Sequence, residues 1–78
     1  MPAAIERIET DPRVMGGRPR VRGTRVTVGT VLGLLASGKS PDDILALYPY
    51  LQAEDVRASL AYAAWRVEES DVELPRAS

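Results

Sequence analysis

Neither cysteine nor histidine occurs among the 78 residues of this chain, and for so short a sequence that double absence narrows the outcome more than any motif. A domain of this size leaves roughly 40% of its unfolded surface exposed after folding, so its core is thin and wants a staple. Disulfides and thiolate metal sites are excluded. With histidine go the commonest general base, the Ser-His and Cys-His nucleophile pairs and nearly every zinc site. The remaining staple is self-association, and a homo-oligomer, most simply a dimer, is the expectation. Apolar residues at 45% against 27% charged, with a net charge of −1, describe a globular chain rather than a disordered one. We expect one domain over residues 1–69 and a loose tail over 70–78, where Pro75 stands in a stretch without periodicity.

The longest uncharged stretch, residues 26–38, contains three glycines and three Ser or Thr, too short and too polar to cross a bilayer. Glu6, Arg7 and Glu9 interrupt the apolar residues at the amino terminus, which does not read as a secretion signal. A cytoplasmic protein with no membrane partner is the expectation. The mild net charge hides a split: residues 1–27 hold six arginines against three acids, and residues 28–78 hold four basic residues against eight acids. Such polarity suits two partners, or two copies of one chain.

Ile5 to Glu9 reads as a short strand or extended arm, ended by Asp11-Pro12. Gly16-Gly17, Pro19 and Gly23 then punctuate two short runs of period two, Arg20-Val21-Arg22 and Arg25-Val26-Thr27-Val28, a hairpin-like unit with Gly23-Thr24 at its turn. That alternation places Val21, Val26 and Val28 inward and the arginines outward. From Val28 the period becomes helical through Val31, Leu32 and Leu35, closing at Ser37-Gly38. A second helix begins at Pro41, with Ser40 as its cap and Asp42-Asp43 against its positive end, and Pro49 stops it after two turns. Residues 52–69 form the longest helix, with Val56, Leu60, Ala63 and Val67 on one stripe and Ala58, Tyr62 and Trp65 on another. The whole is an α+β fold, mainly helical: a short amino-terminal β unit over residues 5–28, then a three-helix helix-turn-helix bundle of homeodomain-like layout over 28–69.

The residues Asp11-Pro12, Gly16-Gly17-Arg18-Pro19, Arg22-Gly23-Thr24-Arg25-Val26, Gly38-Lys39-Ser40, Tyr48-Pro49-Tyr50-Leu51 and Glu54-Asp55-Val56, in that order, resemble the domain-of-unknown-function 433 family. Gln52 stands where that family commonly has threonine, and Ser59 where it has alanine. The resemblance implies a VapB-like antitoxin that neutralises a PIN-type ribonuclease toxin and binds operator DNA. The alternatives are a stand-alone helix-turn-helix DNA-binding regulator and a structural oligomerisation module.

Site expectations follow the charge split. Arg18, Arg20, Arg22 and Arg25 form the candidate DNA-binding set, since guanidiniums neutralise phosphates; the alternative is a solvated outer face paired with the acids of the helices. The long helix is a poor reader of bases, because Glu54 and Asp55 open it, and their roles are dipole stabilisation and pairing with arginine. Ala58, Tyr62 and Trp65 are the candidate dimer interface, with plain core aromatics as the alternative. Arg66, Glu68, Glu69 and Arg76 are the candidate toxin-binding residues, against the alternative of a solvated acidic end. No catalytic residue, metal ligand or cofactor is expected: the glycines fit neither phosphate-loop pattern and the carboxylates cluster at helix starts.

Overall fold

A computed structural model of the chain describes residues 3–69, so the expected tail and Arg76 lie outside the described residues. A 3₁₀ helix over Ala3–Arg7 leads into strand β1 (Ile8–Glu9), followed by β2 (Arg20–Val21) and the helices α1 (Val28–Ala36), α2 (Pro41–Leu47) and α3 (Ala53–Glu69). The fold is α+β and mainly helical. Among the described residues no helix is long and apolar enough to cross a membrane.

The amino-terminal segment differs from an extended arm in that its first half is helical. Ile5 and Ile8 are both buried, three residues apart on one face, and the 3₁₀ helix and β1 pack together on α3. Burying both isoleucines against a helix requires the turn, because in a strand they would point to opposite faces. β1 and β2 run antiparallel with Ile8 opposite Val21 and Glu9 opposite Arg20. Between the strands, Met15, Gly16 and Gly17 occupy the left-handed region in succession, at φ 51°, 67° and 79°, and glycine at two of the three positions relieves the strain.

The expected hairpin is present on the other edge of β2. Arg20 bridges to Thr27, and Val21 N–H donates to the Val26 carbonyl at 2.9 Å. Its turn closes through Thr24, whose hydroxyl donates to the Val21 carbonyl at 2.8 Å and accepts from Val26 N–H at 3.0 Å. Val21, Val26 and Val28 turn inward as expected and join Val31, Ile44, Leu51, Val56 and Ala58 in the core.

The first two helices start where their sequence asks. Thr27 caps α1 by accepting from Thr30 N–H at 3.1 Å. Ser40 and Asp43 form a reciprocal box at the start of α2: Asp43 N–H donates to Ser40 Oγ at 3.1 Å and Ser40 N–H to the Asp43 carboxylate at 2.9 Å. Bonds from Ser40 to the carboxylate, that of its backbone N–H foremost and then that of its side chain, hold the Asp43 carboxyl below its ordinary 3.8. The stability they add is present above about pH 4 and is lost as pH falls through the lower folded-state value. Ser40→Ala is expected to cost about 1 kcal/mol, read as a lower urea midpoint with unchanged slope.

At α3 only half of such a box exists. Gln52 N–H donates to the Asp55 carboxylate at 2.7 Å, but Gln52 offers no hydroxyl to return the bond. Helix α3 begins at Ala53, one residue later than the sequence suggests.

Candidate nucleic-acid interface

The arginines of the β unit occupy two different environments. β2 is paired with β1 on one edge and with the segment at Thr27 on the other, so it is the central strand, and both Arg20 and Val21 are buried. Arg20 is 8% exposed. Its Nη1 lies 2.8 Å from Glu9 Oε1 and donates to the Thr24 carbonyl at 3.0 Å, tying both neighbouring segments to β2. Among the described residues its Nε has no hydrogen-bond partner, a cost tolerated only where the rest of the guanidinium is well held. This corrects the expectation that all four arginines share an exposed face. Alternation does place Arg20 and Arg22 on one side of the strand, where both reach Glu9, but Glu9 and the Thr24 carbonyl cover the Arg20 guanidinium while Arg22 stays in solvent.

Arg18, Arg22 and Arg25 are exposed. Arg22 Nε lies 3.6 Å from Glu9 Oε2, with most of its side chain in solvent. Arg18 and Arg25 make no ion pair among the described residues. Arg13 is drawn off by Asp11, at 3.1 Å, and Arg13's side-chain hydrogen bond, then its backbone one, lowers the Asp11 pKa.

A residue that the sequence reading passed over stands among them. Tyr50, in the turn between α2 and α3, is 62% exposed and packs edge-on against Tyr48 with ring centroids 6.2 Å apart. Tyr48 packs on the core in turn, so an anchored neighbour supports the exposed ring. Tyr50 and Thr24 together form the wall between two open clefts. One, of about 470 Å³, is bordered by Arg7 and Arg22; the other, of about 880 Å³, by Arg25 and Glu9. A third depression, of about 460 Å³, sets Arg18 beside Thr27, Gly29 and Thr30 at the first turn of α1. The available signal was an aromatic set in a Pro49-containing loop, where an exposed ring has no packing reason to exist. Guanidiniums around a supported phenol ring can neutralise phosphates and stack a base.

The start of α3 is less hostile to phosphate than its sequence suggests. Glu54 is exposed, but Asp55 is buried and pairs with Arg7 at 2.9 Å. Among the described residues no group of three or more acidic side chains is placed to hold a metal ion.

The expected dimer residues are not a free surface. Ala58 is 0% exposed, in the core, Tyr62 packs partly buried against that core, and Trp65, half-buried, meets Tyr62 edge-on at 5.9 Å. Leu60 and Val67, assigned to the core stripe by their apolar character, are exposed instead. The inward face of α3 takes Ala58 and Tyr62 of one stripe together with Val56 of the other, which leaves Leu60 and Val67 outside. The cause is polar: the inward face carries Asp55 and Ser59, whose burial is offset by Arg7, by Gln52 N–H and by the bond from Ser59 Oγ to the Asp55 carbonyl.

Of the expected toxin-binding residues, Arg66 and Glu68 are exposed near the end of α3, with the Arg66 guanidinium 5.8 Å from the Trp65 ring centroid. Glu69 closes the helix.

A small, mainly helical domain with a basic β unit is thus the class of protein defined here. Residues 8–63 match the family described as protein of unknown function (DUF433), and the chain belongs to that family. A crystal structure of a DUF433 member protein from Anabaena variabilis is similar at a TM-score of 0.76 and 37% identity, over 83% of this chain and 64% of that one. The uncharacterized protein y4eO of Sinorhizobium fredii is 43% identical over 61 residues, 78% of this chain and 28% of that protein. The chain therefore spans less than two thirds of either relative.

Proposed function

We propose that this domain binds nucleic acid through its β unit, with Arg22 and Arg25 on phosphates either side of Tyr50 and Arg18 extending the basic face along the start of α1. The observation that carries this reading is the placement of two exposed arginines on clefts that share the exposed Tyr50 ring as their wall. Phosphate contacts set affinity and orientation, while stacking on the ring favours unpaired or distorted segments. In the Arg22→Ala/Arg25→Ala double variant, the slope of log K against log salt is expected to fall by about 2 per chain. Tyr50→Ala is expected to weaken binding without changing that slope. An unaltered slope in the double variant rejects the reading.

The finer proposal is that the chain is a VapB-like antitoxin, holding operator DNA with the β unit and a PIN-type ribonuclease with the acidic end of α3. Its support is the family resemblance together with the separation of exposed arginines from exposed Glu68. Co-expression with the neighbouring reading frame tests it. A co-purifying nuclease whose activity returns when the chain is removed supports this finer role. Nucleic-acid binding without such a partner leaves the stand-alone regulator in its place.

A further inference from the structure

Helix α3 carries a second seam on the side turned away from the core. Ala53, Arg57, Leu60, Ala64 and Val67 follow one another at spacings of four, three, four and three residues, the rhythm by which one helix lays a strip along another. All five are exposed, Leu60 at 47%. Ala61, beside them, is half-buried, and Glu68 completes the strip at its carboxy-terminal end. No polar residue other than Arg57 and Glu68 interrupts this seam. Among the described residues neither of those two makes an ion pair. They stand eleven positions apart, roughly 16 Å along the axis.

We infer that this seam is the contact between two copies of the chain, with α3 packed antiparallel on α3 of the other copy. A two-fold axis level with residue 62 sets Leu60 of each copy over Ala64 of the other, a large side chain on a small one, so the helices approach closely. The same register brings Arg57 of each copy beside Glu68 of the other. Each contact occurs twice, as an isologous interface requires. Parallel pairing in register would oppose Arg57 to Arg57 and Glu68 to Glu68, and the charges therefore select the antiparallel arrangement. The inference does not rest on nucleic-acid binding, although a dimer would double the phosphate contacts.

The test is the mass of the intact chain by sedimentation equilibrium over a wide concentration range, with helical content followed by circular dichroism in the same samples. The wild-type chain is expected to reach twice its monomer mass. Leu60→Glu is expected to raise the dissociation constant by tenfold or more, on the order seen for charges placed in an apolar contact. Arg57→Glu and Glu68→Arg alone are each expected to weaken association, and the two combined in one chain to restore it, because the swapped charges again meet their opposites. A monomer at every concentration, a dimer indifferent to Leu60→Glu, or a charge-swapped double variant no better than the singles would each overturn the inference. Should Leu60→Glu lose helical content, the charge series on exposed positions decides alone.

Discussion

Asp55→Ala is expected to remove at least about a quarter of the domain's stability. The carboxylate is 6% exposed and has two duties, accepting from Arg7 at 2.9 Å and from Gln52 N–H at 2.7 Å. The first ties the 3₁₀ helix to α3, and the second caps the longest helix. Losing both leaves Gln52 N–H unmet at the helix start and removes the ion pair that binds the amino-terminal segment. The sum is about 3 kcal/mol, against about 4 to 12 kcal/mol for a whole domain of this length. Arg7→Ala should cost a similar amount, because the cap survives but the Asp55 carboxylate, 8% exposed, is left without its cation. A urea-denaturation cycle with the double variant measures the coupling; additive effects would mean that the pair contributes nothing beyond its separate parts.

Arg20 is expected to behave unlike the other arginines of the β unit. Arg20→Ala takes from Glu9 its nearest cation and frees the Thr24 carbonyl, and should destabilise the domain by about 2 to 3 kcal/mol. Glu9→Ala should do the same from the other side, leaving a buried guanidinium without its anion. Exposed Arg22 and Arg25 should each move stability by less than about 0.5 kcal/mol when replaced by alanine. Thermal unfolding of the four variants separates the two groups. A melting temperature for Arg20→Ala equal to that of Arg25→Ala would show that the Glu9 pair holds nothing together.

Much of this architecture was legible in the chain because local rules decided it. Ser40-Pro41-Asp42-Asp43 is a helix start whatever surrounds it, and α2 begins at Pro41 as those residues require. Thr24 closes its turn through bonds to residues two and three positions away, contacts a sequence can show. The candidate interface was only partly legible. Alternation sets the face on which an arginine of a short strand stands, but whether it is covered there depends on the groups that fold over it, and that is a tertiary fact. Tyr50 lay hidden for the same reason, since its exposure depends on where the turn after α2 emerges relative to the hairpin.

By itself, then, the sequence determined the order of the three α-helices and the starts of the first two, the inward valines, the hairpin turn and the separation of basic from acidic halves. Each of these follows from contacts within a few residues or from composition alone. The tertiary structure decided which face of α3 enters the core and which arginines reach solvent. Periodicity ranks two apolar stripes on α3 about equally. The choice falls to the stripe bearing Asp55, because Arg7, forty-eight positions away in the chain, neutralises the carboxylate there and makes its burial tolerable. No local pattern announces that partner, and its consequence is that Leu60 and Val67, rather than Tyr62 and Trp65, form the exposed side of the helix.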